Sequence, residues 1–141
     1  MIDIEYKPVR VQLPDGSEIT GMFGIVETDY DPQVELILSF KDRKLSAKSD
    51  DFFYAMQSIR LELEPEGIRL LCCGASLNVH PSGMILDMGS ARVAYKMAPG
   101  RSAKQEDLVS IFDTGTDVIP ATIEEQERYY DEWYRDRSKR S

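Results

Sequence analysis

Histidine and cysteine are scarce in this sequence of 141 residues, which contains one histidine and two cysteines. The cysteines are neighbours, Cys72 and Cys73, and adjacent residues cannot form an ordinary structural disulfide without strain. A chain without a structural disulfide is typical of a reducing compartment, so the sequence predicts a cytoplasmic protein. Adjacent cysteines with a single histidine also lack the paired spacing of a zinc site. We therefore expect no metal and no cofactor.

Long apolar runs are also missing. The first residues, 1–8, include two acids and no apolar run of signal-peptide length. No segment approaches the ~20 apolar residues that a membrane span needs. The sequence therefore predicts no association with a membrane.

Basic residues are outnumbered, since 17 lysines and arginines stand against 25 acidic residues, for a net charge of −8. Nucleic-acid binding usually needs a basic stripe that displaces counterions from the phosphates. The only basic cluster begins at Arg135 and lies in the short tail, 135–140. We expect no nucleic-acid partner, whereas an acidic surface fits both solubility and a basic protein partner.

Alternating apolar and polar residues predict a mainly antiparallel sheet. A hairpin is predicted over 8–27 and a third strand over 34–40, with a polar connection over 41–48. The alternation changes parity at Lys7-Pro8, which predicts a bulge or a break there. Further on, the apolar run 68–73 predicts a strand buried on both faces.

Two later segments complete the predicted strands. Residues 93–97 alternate as a strand, and 108–112 form an apolar run that fits a strand, although 107–110 would also fit a short helix. No internal repeat is present.

Two helices are predicted from their start signals. The first begins at Ser49-Asp50-Asp51 and carries an apolar stripe of Phe52, Met56, Ile59 and Leu63. The second begins at Thr122, with Glu125 completing a capping box. The sequence thus predicts one α+β domain over 1–141, with a mainly antiparallel sheet of five to seven strands, a central amphipathic helix and a C-terminal helix, and a frayed tail over 136–141.

The stretch 71–89 holds both cysteines and the only histidine. Nucleophilic catalysis would need Cys72, Cys73 or Ser82 beside His80, with Asp87 to orient the ring. Thiols in a buried apolar strand are normally inert, and no Gly-x-Ser-x-Gly elbow is present. In the simpler interpretation, the glycines and Pro81 shape a reversing loop around buried methionines. Asn78, His80 and Ser82 remain as candidates for ligand binding.

The same stretch reads Leu-Cys-x-Gly-Ala-x-x-x-Val-x-Pro-Ser-Gly-Met-x-x-Asp-Met-Gly from Leu71 to Gly89. With Ala94-Tyr95 and Ile111-Phe112-Asp113, it resembles a family of small uncharacterised bacterial proteins. The resemblance covers roughly 51–113. It brings no activity with it, because no function is attached to that family.

We therefore expect a non-catalytic protein-binding role, of the kind served by immunity or accessory proteins that share this size and acidity. The partner-binding candidates are acids of the 27–31 loop and aromatic residues of the last helix: Glu27, Asp29, Asp31, Tyr130, Trp133 and Tyr134. The helix would dock on the domain, or present its aromatic stripe to a partner or to a second copy in a homodimer. The alternative is a small enzyme or ligand-binding module that uses His80, Ser82 and Asp87.

Overall fold

A computed structural model describes residues 3–83, 85 and 90–138. It has an α+β architecture, as predicted, with two antiparallel sheets of five and three strands. The five-stranded sheet has the order β4-β3-β2-β1-β5 and the small sheet the order β6-β7-β8. The described elements are β1 Glu5–Gln12, β2 Glu18–Val26, β3 Val34–Phe40, β4 Arg43–Ser49, α1 Phe52–Leu63, β5 Arg69–Leu70, β6 Val79–His80, β7 Val93–Lys96, β8 Leu108–Ser110 and α2 Ile123–Ser138.

The predicted first hairpin is confirmed, but the expected bulge at Lys7-Pro8 is wrong. β1 pairs with β2 without interruption from Glu5 opposite Ile25 to Gln12 opposite Glu18. The alternation of apolar residues changes parity there only if Tyr6 is counted as a core residue. Its side chain points outward and is 64% exposed. Pro8 is tolerated because on its other side β1 pairs with β5 only at residues 11 and 12.

The segment predicted as a polar connection over 41–48 is instead the edge strand β4, which pairs along all of β3. Its only apolar residues are Leu45 and Ala47, so the alternation was too weak to predict a strand. Lysines on an edge strand discourage pairing with other chains, which explains the polar composition. Lys41 has a φ of +51° in the tight turn between the two strands.

α1 begins where the sequence predicted, with Asp51 as its cap: the Asp51 carboxylate accepts the Tyr54 backbone N–H at 2.9 Å. Its predicted apolar stripe is fully buried against the sheet. A short 3₁₀ turn, Glu64–Glu66, and Gly67 at a φ of +75° end the helix. The core between α1 and the sheet joins the small sheet in one cluster of buried side chains.

The apolar run 68–73 is buried but is not the predicted strand. Only Arg69–Leu70 pairs with β1, and Cys73–Ala75 form a 3₁₀ turn. The backbone N–H groups of Cys73 and Gly74 donate to the carbonyls of Asp113 and Ile111, so the segment bonds to the chain after β8. β8, Leu108–Ser110, is the strand that the sequence predicted within 108–112, and the alternative of a short helix over 107–110 is wrong. A 3₁₀ turn, Gln105–Asp107, precedes the strand.

The predicted capping box of α2 is confirmed. Glu125 accepts the Thr122 backbone N–H at 2.8 Å, and the Thr122 hydroxyl accepts the Glu125 N–H at 3.1 Å. α2 continues to Ser138, and the rest of the predicted tail, 139–141, lies outside the described residues. Within the described part of the chain, no helix combines the length and apolar character needed to cross a membrane.

Candidate functional site

A pocket of about 340 Å³ lies between α2, β7 and the segment that follows β6. This volume falls in the range of small-ligand sites. Its lining is mainly aromatic with several hydroxyl groups and comprises His80, Ser82, Gly83, Tyr95, Met97, Ala103, Tyr130, Trp133 and Tyr134. The pocket therefore joins two regions that were separate candidates in the sequence. They are the loop after β6 that carries His80 and Ser82, called the central loop below, and the aromatic stripe of the last helix.

His80 ends strand β6, where its backbone lies opposite Tyr95, and its side chain is buried. Nδ1 lies 2.8 Å from the carbonyl oxygen of Pro81, and Nε2 lies 3.0 Å from Oε1 of Glu127. A carbonyl oxygen can only accept, so Nδ1 carries a hydrogen. Glu127 is thus the polar neighbour of the second ring nitrogen.

The His80 ring is also held by aromatic neighbours. It stacks on Tyr130, with ring centroids 3.9 Å apart and an interplanar angle of 11°. Phe53 of α1 lies 5.0 Å away at a tilt of 58°. The imidazole is thus fixed by two polar contacts and two ring contacts, and it ties the central loop to α2.

Ser82 and His80 line the same pocket, but each uses its polar atoms elsewhere. The Ser82 hydroxyl accepts the backbone N–H of Ile85 at 3.2 Å, while both His80 nitrogens contact Pro81 and Glu127. Asp87, the third residue of the predicted catalytic group, lies outside the described residues. The Ser82–His80–Asp87 arrangement therefore stays a prediction.

Asn78 has contacts that stabilise the fold. Its side-chain oxygen accepts from the Ser76 hydroxyl at 2.9 Å, and its amide nitrogen lies 3.5 Å from the Met97 carbonyl. It does not belong to the lining of the pocket described above. Its predicted role in ligand binding stays a prediction.

The aromatic stripe of α2 divides between the interior and the surface. Trp133 is buried, and its indole N–H donates to the Arg101 carbonyl at 3.0 Å. Tyr134 is 52% exposed, and its ring centroid lies 6.1 Å from that of Tyr130. The burial of Trp133 agrees with docking of the helix on the domain, which was one interpretation of the aromatic stripe. Tyr134 instead faces outward at the pocket.

The acidic loop predicted to bind a partner lies apart from the pocket lining. Glu27 forms an ion pair with Arg92 at 3.1 Å, and Asp31 pairs with Lys48 at 3.0 Å. The backbone N–H of Gln33, followed by Lys48, holds the pKa of Asp31 below its usual range. Asp29 is exposed. Two of the three predicted acids thus already have basic neighbours within the chain.

A buried polar network was missed by sequence reasoning. The Arg60 guanidinium donates to Oε1 of Gln126 at 2.6 Å and to the Ala121 carbonyl at 3.0 Å. Burial lowers the pKa of Arg60. The amide nitrogen of Gln126 lies 2.8–3.0 Å from the carbonyl oxygens of Gly74, Ser76 and Val79. The network positions the segment that leads to His80.

Two signals in the sequence could have revealed the missed residues. Gln126 lies three residues after Ile123 and four before Tyr130, so it falls on the apolar stripe of α2, where a glutamine needs buried partners. Glu127 lies three residues before Tyr130, so the two side chains are neighbours on the surface of the helix.

The two cysteine thiols are buried. Burial raises the pKa of Cys72 to about 12, and its sulfur lies 3.7 Å from that of Met56. Burial also raises the pKa of Cys73. Because the thiolate is the reactive form, neither thiol is prepared to act as a nucleophile.

Comparison with protein-family models and with curated proteins gives no match for this chain. Among the described residues, no group of three or more histidine, cysteine, aspartate and glutamate side chains is arranged to hold a metal ion. Any function must therefore be inferred from the pocket and the surface.

Proposed function

We propose that this protein is a non-catalytic protein-binding protein, of the immunity or accessory type, whose partner docks at the aromatic pocket. One observation carries the proposal: the exposed Tyr134 and the stacked Tyr130 lie on the same pocket as the central loop. Tyrosine and tryptophan supply much of the binding energy at protein interfaces because they bury a large area at low entropic cost.

The contacts of His80 favour binding over catalysis. A general base must reach the proton that it removes, and both nitrogens of this ring already contact acceptors within the chain. The rigid support of the ring by Tyr130 and Phe53 suits a wall of a docking site.

The proposed partner is a basic protein, and the proposed compartment is the cytoplasm. The net charge of −8 would speed association with a basic surface. Two free thiols in a chain of this length fit a reducing compartment. Because the 71–89 stretch resembles small bacterial proteins, we would search for the partner first among the proteins of a bacterial cell.

The proposal is tested by affinity capture with quantitative mass spectrometry. The bait proteins are the wild type, Tyr134→Asp in the pocket, Tyr6→Asp on the far face of the large sheet and Asp29→Asn in the acidic loop. We expect a partner that the wild type and Tyr6→Asp retain equally and that Tyr134→Asp loses. Titration of the purified partner into each variant then measures the affinity.

The same variants separate the competing interpretations. Loss of the partner with Asp29→Asn, while Tyr134→Asp retains it, would move the docking site to the acidic loop. Equal retention by every variant would contradict the proposed surface. Wild-type bait that retains no protein above the tag alone would contradict the protein-binding function.

A second candidate, a small enzyme or ligand-binding module, is favoured by the volume of the pocket and by the Ser82 hydroxyl at its wall. It predicts that a small molecule copurifies with the protein and is lost in Ser82→Ala. Native mass spectrometry distinguishes this outcome from protein capture.

A homodimer through α2 is a further form of the proposal. Its test is the solution mass of the wild type and of Tyr134→Asp. Truncation before α2 is a poor test, because it also removes the buried Gln126 and Trp133. A wild type that remains at 16.1 kDa at high concentration would contradict the homodimer.

A further inference from the structure

The pocket is bounded by aromatic rings from two elements. Tyr95 comes from β7, while Tyr130, Trp133 and Tyr134 come from α2. His80 stacks on Tyr130, and the ring centroids of Trp133 and Tyr134 lie 6.2 and 6.1 Å from that of Tyr130. Aromatic faces carry a negative quadrupole, so walls of this kind attract a cation.

The helix that supplies three of the lining aromatic residues is acidic. α2 contains six acidic and three basic residues, for a net charge of −3. Among the residues that the structure describes, no lysine or arginine lines the pocket. Of the described lining residues, only His80 has a side chain that could carry a positive charge, and its Nε2 lies 3.0 Å from Oε1 of Glu127. The described part of the wall therefore favours a cationic ligand over an anionic one.

The polar groups of the pocket suit a hydrogen-bond donor. The tyrosine hydroxyls can each accept a hydrogen bond as well as donate one. The Ser82 hydroxyl has a second lone pair beyond the one that the Ile85 N–H uses. A guanidinium or ammonium group offers only donors, and the planar guanidinium also stacks on aromatic rings.

We propose that the pocket binds a basic side chain, arginine or lysine, that a partner protein inserts between Tyr95, Tyr130 and Tyr134. The inference rests on the proposed protein-binding function and adds the chemistry of the inserted residue. Acidic residues of α2 steer the basic partner toward the pocket, and the aromatic walls hold the cation once it has lost its water.

Trp133 provides the readout, because it is the only tryptophan in the chain and lines the pocket. The probes are four capped tripeptides, acetyl-Gly-X-Gly-amide, where X is arginine, lysine, citrulline or leucine. Citrulline has nearly the shape of arginine but no charge. We expect arginine and lysine peptides to change Trp133 fluorescence with affinities about tenfold tighter than the citrulline and leucine peptides.

Variants of Tyr134 distinguish a cation–aromatic contact from simple apolar burial. Tyr134→Phe keeps the ring, and we expect binding within about twofold of the wild type. Tyr134→Leu removes the π face, and we expect about fivefold weaker binding of the arginine peptide. Tyr6→Leu on the opposite sheet face is the matched control and leaves binding unchanged.

Three outcomes would overturn the inference. They are a citrulline peptide that binds as tightly as arginine, a leucine peptide that binds more tightly, and the absence of any fluorescence change up to millimolar peptide. Each leaves the protein-binding function standing if capture of a partner still depends on Tyr134. Failure of capture by the wild type removes that function, whichever peptide binds.

Discussion

Nε2 of His80 lies 3.0 Å from Oε1 of Glu127, and this contact joins residues 47 positions apart in the sequence. Glu127 also accepts from the Gln57 amide at 3.3 Å, so α1, α2 and the central loop meet at one carboxyl group. His80 is buried while the Glu127 side chain is 38% exposed. The contact therefore holds His80, a residue of the pocket wall, to a carboxyl group at the protein surface.

Glu127→Ala is expected to lower the free energy of unfolding by about 1–3 kcal/mol, because it leaves a buried ring nitrogen without its partner. Glu127→Gln retains a side-chain amide that can hydrogen-bond to Nε2 and should lose less. Urea unfolding at pH 7 measures both variants. Glu132→Ala, an exposed acid of the same helix, is the control and should stay within about 0.5 kcal/mol of the wild type. A Glu127→Ala variant as stable as this control would show that the pair contributes nothing.

The starts of both helices could be predicted from the sequence, because each depends only on residues that are close together in the chain. Asp51 at the start of α1 and the Thr122–Glu125 box of α2 were predicted because a cap involves residues within one turn. β4 was missed because its lysines reflect its position at a sheet edge, and that position depends on the whole topology.

The site shows the same limit. Sequence reasoning named Tyr130, Trp133 and Tyr134 as one candidate group and His80 with Ser82 as another. It could not bring them together, because their contact depends on how α2 docks over the small sheet. Gln126 and Arg60 direct that docking, and a helix pattern alone does not reveal which distant carbonyl groups a buried glutamine will meet.

Gln126→Ala is expected to destabilise the protein by about 3 kcal/mol. The substitution removes the acceptor of the buried Arg60 guanidinium and the donor that faces three carbonyl oxygens. Thermal and urea unfolding measure the change. Gln33→Ala, at an exposed position, is the control and should have little effect.

Gln126→Glu tests which half of the network matters more. It supplies a full charge to Arg60 but places a carboxylate oxygen where the amide nitrogen faced the carbonyls of Gly74, Ser76 and Val79. We expect this variant to be less stable than the wild type. A more stable variant would mean that the contact with Arg60 dominates.

A side chain at Gly74 is expected to destabilise the protein. A Cβ atom at this position would lie 2.8 Å from Cβ of Ile111 and 2.8 Å from the sulfur of Met56. Gly74→Ala should therefore cost about 1–3 kcal/mol through overpacking. Gly83→Ala is the matched control, since outside its chain neighbours no atom of the described residues lies within 4 Å of its added Cβ, and it should unfold like the wild type. Equal loss in both variants would contradict the packing explanation.

The capping box of α2 gives stability a defined dependence on pH. The Thr122 backbone N–H, and then its side chain, lower the pKa of Glu125 in the folded protein. A carboxyl group whose pKa is lower in the folded state stabilises that state fully above its unfolded pKa, roughly 4.3 for glutamate. This contribution is lost as the pH falls through the folded pKa, because both states are then protonated.

Glu125→Gln keeps an acceptor for the Thr122 N–H but does not titrate. The difference in melting temperature between the wild type and this variant should therefore be constant above about pH 5 and shrink as the pH falls below about 4. Calorimetry between pH 2.5 and 7 measures it. The control is Glu124→Gln, one residue earlier, whose 83% exposed side chain pairs only with Arg128 on the helix surface among its described contacts. A difference for Glu125→Gln that does not change across this range would mean that the cap holds the carboxyl group equally well in its neutral form.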